Sequence, residues 1–494
     1  MPRHPTNVSA RPNVLFIMAD QWPAYLLGSA GHPAILTPTL DEFAENGVRF
    51  TRAYSESPIC IPARRTVMTG TSPRVHGDRL FNETLPLPSL PTLAGCFRAA
   101  GYQAYAVGKL HVYPQRDRIG FDDVLLAEEG RAQFGVADDY DMFLADRGFP
   151  GQQYMHGMNN NEYVHRAWHL PEDCHVTNWT TAQAARTIKR RDPTRPAFWH
   201  VSYTHPHPPL APLSCYLDMY RDADIDTPVL GEWEHDEESL PAALRSVRDR
   251  WLRWKPREIA AFRRAYYALI THIDHQLRVL IGTLREEGLL ANTVILFTTD
   301  HGDMLGDFGL YAKRLFYQGA ANVPMLLLGL PGDARVGMHR TDDRLVGLQD
   351  VMPTLLDLAG LPVPDSVEGL SMVGPKRRAR LYGECREDAS ATRMMHDGRH
   401  KLIWYPVGHR VQLFDLQEDP CERRDRSDDP AYRSVRADLE SALAAEAYGV
   451  DENWVRDGRL VGAKAPPYKV AGNRGLTGQR GLQFPAPPII GGDG

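Results

Sequence analysis

Asn13-Val14-Leu15-Phe16-Ile17-Met18-Ala19-Asp20 is a continuous apolar run that ends in an acid. A strand buried on both faces of a parallel sheet reads this way, whereas a strand with one wet face alternates apolar and polar residues. Thr293-Val294-Ile295-Leu296-Phe297-Thr298-Thr299-Asp300-His301-Gly302-Asp303 repeats the pattern far along the chain. The pair predicts an α/β protein built on a large, mixed, mostly parallel sheet sandwiched by helices. Ligands of such sheets gather at the carboxyl ends of the strands, so Asp20, Asp300 and His301 are candidate ligands of one metal ion. A helix N-cap is the competing reading of Asp20, and a second apolar strand ending in Asp weakens it.

Working outward, Asp41 to Gly47 reads as a helix stopped by glycine and Val48 to Tyr54 as a strand. Leu90 to Ala100 is an amphipathic helix, and the strand Tyr102 to Val107 delivers Gly108-Lys109-Leu110-His111. A Lys and a His two apart on an extended segment project to one side, so both face one anion on this reading; alone, each reads equally as a solvated lysine and a core histidine. Phe121 to Trp179 is rich in Gly, Asn, His and aromatics and predicts long substrate-specificity loops. After a helix over Thr180 to Arg191, the strand Ala197 to Tyr203 ends in Thr204-His205-Pro206-His207-Pro208-Pro209. The prolines stop the strand and hold two imidazoles at its lip, where a metal-binding histidine pair is the competing reading. Pro256 to Leu284 is the clearest helix, with Ile259, Phe262, Tyr266, Leu269, Ile273, Leu277, Leu280 and Leu284 at three- and four-residue spacings.

Cys60-Ile61-Pro62-Ala63-Arg64, followed by Arg65-Thr66-Val67-Met68-Thr69-Gly70, carries the chemistry. With six cysteines, 38 prolines and 56 basic residues in 494, C-x-P-x-[KR] is expected about 0.05 times by chance. Pro62 suits a first helical turn, which sets Cys60 just before a helix N-terminus, where free N–H groups favour an anion. A buried, inert thiol is the bland alternative.

C-x-P-x-R followed by a helix and Thr-Gly resembles the signature of the type I sulfatases and their relatives the phosphonate monoester hydrolases, within the alkaline phosphatase superfamily. The resemblance runs through Asn13 to Leu416 in the expected order. It implies that Cys60 is oxidised after translation by a formylglycine-generating enzyme to Cα-formylglycine (3-oxoalanine). The hydrated aldehyde then attacks sulfur in line and forms a covalent sulfo-enzyme hemiacetal. By the same resemblance Asp20, Asp300, His301 and the modified Cys60 hold one divalent cation, expected to be calcium with manganese as the alternative. Arg64 holds the geminal diol, Lys109 and Lys313 (in Gly309-Leu310-Tyr311-Ala312-Lys313) neutralise sulfate oxygens, and His207 protonates the departing alcohol, with Lys313 as its partner. His111 takes the second hydroxyl proton, while Asn82 and His205 bind substrate.

Four departures from the family pattern stand out. Ala63 replaces the common Ser, Gln21 replaces a second acid beside Asp20, and Asn322 replaces the Arg before Val323-Pro324. His301, where many sulfatases have Asn, is the residue found in choline sulfatases and phosphonate monoester hydrolases. The function implied is a sulfuric ester hydrolase of arylsulfatase type acting on a small-molecule sulfate ester. A phosphonate monoester hydrolase or phosphodiesterase on the same scaffold is the alternative, and Lys109 and His111 speak against it because that subfamily has neutral residues there. A non-catalytic anion binder that keeps the Cys60 thiol is a further rival.

Net charge is −6 with no long basic run, which argues against a nucleic-acid partner. The polar Met1 to Pro12 and the short run Val14 to Ala19 give neither a signal peptide nor a membrane span, so the expected location is cytoplasmic. Cys60, Cys96, Cys174, Cys215, Cys385 and Cys421 lack any paired or zinc-like spacing and read as reduced thiols. The length predicts a catalytic domain over 1–375, a smaller C-terminal α+β domain over 376–453 with an antiparallel sheet, and a Pro/Gly-rich tail over 454–494. The tail is read as an arm of a homo-oligomer, a dimer or tetramer, by analogy with choline sulfatase.

Overall fold

The computed structural model describes residues 11–130, 136–158, 161–234, 240–250 and 254–467. Its centre is an eight-stranded sheet. The strands are β1 (Asn13–Asp20), β2 (Val48–Tyr54), β3 (Gln103–Gly108), β4 (Asp123–Leu126), β5 (Ala197–Pro206), β6 (Thr293–Thr299), β7 (Met325–Leu328) and β8 (Arg340–Gly347). They lie in the order β4-β3-β5-β1-β6-β7-β2-β8. All pairs are parallel except those of β7, which runs against both β6 and β2.

Register explains why distant residues meet. Ala19 lies opposite Thr299, Asp20 opposite Pro206 and Gly108 opposite Ser202, so β1, β3, β5 and β6 all end at one edge. Each delivers its next residues to the same place: Gln21, Lys109, His207 and Asp300. Gly108 is required there, because its φ is +104° and a Cβ would come 1.9 Å from the Ser202 carbonyl oxygen.

The apolar runs are buried on both faces, as their unbroken character demands. Leu15, Ile17, Ile295 and Phe297 pack into one core with Phe262, Tyr266, Leu269, Ile273 and Leu277 of the Pro256–Glu286 helix. Val14, Phe16, Val294 and Leu296 enter a second core with Val67 of the Cys60–Thr69 helix and Leu355 of the Val351–Leu358 helix. A three-layer sandwich results.

A four-stranded antiparallel sheet follows: β9 (Leu381–Cys385), β10 (Thr392–His396), β11 (His400–Tyr405) and β12 (Arg410–Asp415), in the order β12-β11-β10-β9. One face, with Leu381, Met394, Ile403 and Phe414, joins the core of the long helix. The other, with Met395, Leu402, Trp404 and Leu413, packs on Leu439 and Leu443 of the Arg433–Ala445 helix.

Two expectations need correction, and one strand was not anticipated. The 121–179 stretch holds β4 and a helix over Asp139–Asp146, because Asp138 caps the Asp141 amide; its residues 131–135 and 159–160 lie outside the described residues. β8, an edge strand, was hidden by Arg340, Asp342, Asp343 and Arg344; Asp342 is buried between the two arginines, at 2.6 Å from Arg340 and 2.9 Å from Arg344. The expected tail begins too early: Trp454 is buried, β13 (Val455–Arg456) pairs with β14 (Arg459–Leu460), and Ala463 bridges to Val407. Residues 468–494, where the proposed arm would lie, are outside the described residues. Among the described residues no helix is long and apolar enough to cross a membrane.

Candidate active site

Cys60 opens the Cys60–Thr69 helix as its first residue, with Ile59 as N-cap, one position further in than the sequence suggested. The thiol is buried, and its Sγ lies 3.2 Å from His301 Nε2 and 3.9 Å from Asp20 Oδ1. One ligand atom from each of Asp20, Cys60, Asp300 and His301 falls within 4.8 Å of the others. These are the four residues expected to hold the metal.

The donor set fits a divalent cation. His301 Nδ1 donates to the Gly302 carbonyl oxygen at 2.9 Å, so the lone pair is on Nε2, facing Cys60. Asp20 Oδ2 is occupied by Lys109 Nζ (2.6 Å) and Arg64 Nη2 (3.2 Å), which leaves Oδ1 for a metal. Arg64 braces the set. Its Nε donates to Asp300 Oδ2 at 3.0 Å, and its Nη1 to the Lys109 carbonyl oxygen (2.8 Å) and Ser202 Oγ (2.9 Å). Arg64 therefore ties the helix of Cys60 to four strands of the sheet, β1, β3, β5 and β6. Arg65 points elsewhere, to the His76 and Pro86 carbonyl oxygens, because successive helical positions face different sides.

Lys109 and Lys313 flank the thiol. Lys109 is fully buried and also meets Glu129 Oε1 at 2.9 Å. Lys313 Nζ donates to Gln21 Oε1 and lies 2.7 Å from His207 Nε2. His207 Nδ1 donates to the Pro208 carbonyl oxygen at 2.7 Å, so Nε2 carries the lone pair and accepts from the lysine. His207 is therefore neutral, and the mobile proton sits on Lys313.

Electrostatics follow from this packing. Burial works against the Asp20 charge, but the Lys109 ammonium and the Arg64 guanidinium hold its carboxyl well below the usual range. Burial and Asp20 push the Cys60 thiol up, and the Lys313 and Lys109 ammonium groups outweigh them to bring it below its ordinary value. Burial lowers Lys313, with Lys109 and Arg314 adding to the effect, and burial takes His207 well below an ordinary histidine.

Other expected residues are placed differently. His205 Nδ1 donates to the His207 carbonyl oxygen at 3.1 Å, which shapes the lip that carries His207. His111 is buried beside Phe81, with ring centroids 5.6 Å apart, and lines a small cavity with Arg64 and Arg65. The two-residue spacing from Lys109 does not act as expected, since β3 ends at Gly108 and His111 has φ +58°. Asn82 is exposed, and its side-chain oxygen accepts from Thr84 N at 3.1 Å and Thr84 Oγ1 at 3.2 Å, a turn role. Asn322 donates to the Ala53 carbonyl oxygen at 2.9 Å in place of the ion pair an Arg would make.

Sequence reasoning passed over Glu128 and Glu129. Glu128 Oε1 accepts from the Leu110 and His111 amides at 2.8 and 3.0 Å and clamps the Lys109 segment. Both follow the apolar strand β4, the same signal that marked Asp20 and Asp300.

The family model described as Sulfatase matches residues 12–361. This chain belongs to the sulfatase family. A second model, the C-terminal region of N-sulphoglucosamine sulphohydrolase, matches residues 306–448. The sulfatase is 34% identical over 472 residues to an arylsulfatase of Clostridium perfringens, covering 91% of this chain and 97% of that one. It is 31% identical over 483 residues to a choline-sulfatase of Rhizobium meliloti, covering 90% and 91%. A phosphonate monoester hydrolase of Agrobacterium radiobacter has the same fold, with TM-score 0.75, 26% identity and coverage of 88% and 95%. Family membership makes this sulfatase a sulfuric ester hydrolase, and it explains why two lysines, an arginine and a candidate metal site surround one cysteine.

Proposed function

We propose that this sulfatase cleaves aryl sulfate monoesters at Cys60 converted to formylglycine, with a divalent cation held by Asp20, Asp300, His301 and the modified side chain. The observation that carries the reading is the ring of Lys109, Lys313, Arg64 and His301 around a buried Cys60. When present, the formylglycine hydrate supplies an oxygen nucleophile and the cation supplies positive charge to sulfate oxygens.

The chain's own residues do the rest. Lys109, kept charged by Asp20 and Glu129, provides a fixed positive charge to a sulfate oxygen from a fully buried position. Lys313, whose proton is loosened by burial, donates to the ester oxygen as the S–O bond breaks, and neutral His207 holds the ammonium in place through Nε2. Arg64 keeps both carboxylates in position.

Calcium is the proposed ion, and manganese is the alternative that the imidazole ligand admits. Metal analysis of protein purified without chelators distinguishes them. Two measurements test the reaction. Mass spectrometry of the Cys60 peptide from a host with the maturing enzyme should show sulfur and two hydrogens replaced by oxygen. The purified enzyme should turn over 4-nitrophenyl sulfate faster than a 4-nitrophenyl phenylphosphonate ester; equal or greater phosphonate turnover overturns the preference.

A further inference from the structure

Lys313 is aimed by a hydrogen-bond relay that starts outside the metal cluster. Asp303 is fully buried, and its Oδ1 accepts from the Leu305 amide at 2.8 Å and the Ala312 amide at 3.0 Å. Its Oδ2 accepts from Tyr163 Oη at 2.6 Å and from Gln21 Nε2 at 2.6 Å. A carboxylate can only accept, so it dictates which way the Gln21 amide faces: the NH₂ toward Asp303, and therefore Oε1 toward Lys313.

Gln21 has little freedom to do otherwise. Its φ is +65°, a left-handed conformation that a non-glycine residue keeps only when its surroundings enforce it. Its amide donates to Asp300 Oδ1 at 3.1 Å, and its carbonyl oxygen accepts from Tyr266 Oη. Of the three N–H bonds of the Lys313 ammonium, one goes to Gln21 Oε1 and one to His207 Nε2, and tetrahedral geometry then fixes the third.

We propose that Asp303 and Tyr163 are positioning residues for the acid step: acting through Gln21, they direct the remaining Lys313 N–H at the ester oxygen of a sulfate bound over Cys60. The inference rests on the proposed role of Lys313 as proton donor. As the S–O bond breaks, its electron pair stays on the departing oxygen, which takes a proton from Lys313. The lysine is left as a neutral amine and is reprotonated from solvent before the next cycle. Gln21, where the family commonly has a second acid, is then the link that couples the Asp303 side to the acid.

The test uses the matured, metal-loaded enzyme and a leaving-group series: 4-nitrophenyl sulfate, phenyl sulfate and a primary alkyl sulfate. A good leaving group needs little protonation and a poor one needs much, so a misaimed acid steepens the dependence on leaving group. Tyr163→Phe removes one hydroxyl and keeps the ring packed on Phe262 and Tyr311. It should hold kcat for 4-nitrophenyl sulfate within about threefold while lowering kcat for phenyl and alkyl sulfates roughly tenfold or more, with KM little changed.

Gln21→Glu should show the same steepening more strongly, and Gln21→Glu combined with Asp303→Asn should recover the shallow dependence, because the donor and acceptor have been exchanged. A uniform loss across the series, no change in Tyr163→Phe, or a double variant no better on phenyl sulfate than Gln21→Glu overturns the proposal. If the wild-type enzyme turns over no sulfate ester, the functional reading itself falls; if it does and the slopes stay equal, only this inference falls.

Discussion

Two of the places where charge is buried among the described residues are wired differently. Behind the four-stranded sheet, Arg393 grips Asp451 at 2.7 and 2.6 Å, and Arg79 meets Glu384 at 2.7 Å and Asp451 at 3.1 Å. Arg393 also donates to the carbonyl oxygens of Cys385 and Thr392, at 3.0 and 2.8 Å. Each charge there has its opposite, and the cluster ties the Arg79 loop to β9, β10 and the segment at Asp451. At the strand ends, by contrast, Asp20 is shared between Lys109 and Arg64, Lys313 between Gln21 and His207, and the atoms left over from four residues point at one spot. Burial alone marks only a desolvation cost that must be offset. Convergence of uncommitted ligand atoms is what separates a reaction centre from a structural clasp.

Breaking each region should therefore fail in its own way. Cys60→Ala removes the residue on which the site converges and should lower aryl sulfate turnover by about 10⁴-fold or more, measured on matured enzyme. Its melting temperature should move by no more than about 4 °C, since alanine fits the helix start and leaves no unpaired charge. Turnover within a hundredfold of wild type would take Cys60 out of the chemistry. The next largest effect belongs to the clasp. Asp451→Ala strips Arg393 and one arm of Arg79 of their carboxylate and should cost about 3–5 kcal/mol in urea unfolding. The kcat per folded molecule should stay unchanged. A stable Asp451→Ala protein with impaired kcat would dissolve the distinction between the two regions.

The part of the site that could be read in the sequence is the part made by strand ends. Asn13–Asp20 and Thr293–Thr299 are apolar throughout because both faces of a central parallel strand are covered, and the first polar residues after them mark the ligand edge. Cys60 and Arg64 announced themselves by a rare spacing. What escaped depends on contacts without local pattern. Gln21 and Asp303 are 282 residues apart, and Tyr163 reaches Asp303 across 140, from a stretch with no useful periodicity. His111 shows the opposite failure. A two-residue spacing from Lys109 was read as one face of a strand, but the strand stops at Gly108 and the backbone turns left-handed at His111. Period-two reasoning holds only while the chain stays extended. The ordered segment from Trp454 to Ala463 was missed for a related reason: its short hairpin is pinned by burial of Trp454 and a bridge to Val407, neither visible as periodicity.

Asn82 gives the smallest expected effect and sharpens the comparison most. The resemblance assigns it to the sulfuryl oxygens, whereas the structure commits its side-chain oxygen to Thr84, and its backbone N–H donates to Asp78 Oδ2 at 3.1 Å. Such an Asx turn is worth about 0.5–1.5 kcal/mol at an exposed position, and it stiffens the loop that carries Phe81 against His111. Asn82→Ala should thus leave kcat/KM for 4-nitrophenyl sulfate within about threefold and shift stability by no more than the turn is worth. A loss near a hundredfold in kcat/KM with stability kept would mean that the 78–84 loop swings its amide inward onto bound sulfate. The reaction centre would then be assembled from strand ends and from a loop that closes only on substrate, and uncommitted atoms at the strand ends would no longer suffice to define it.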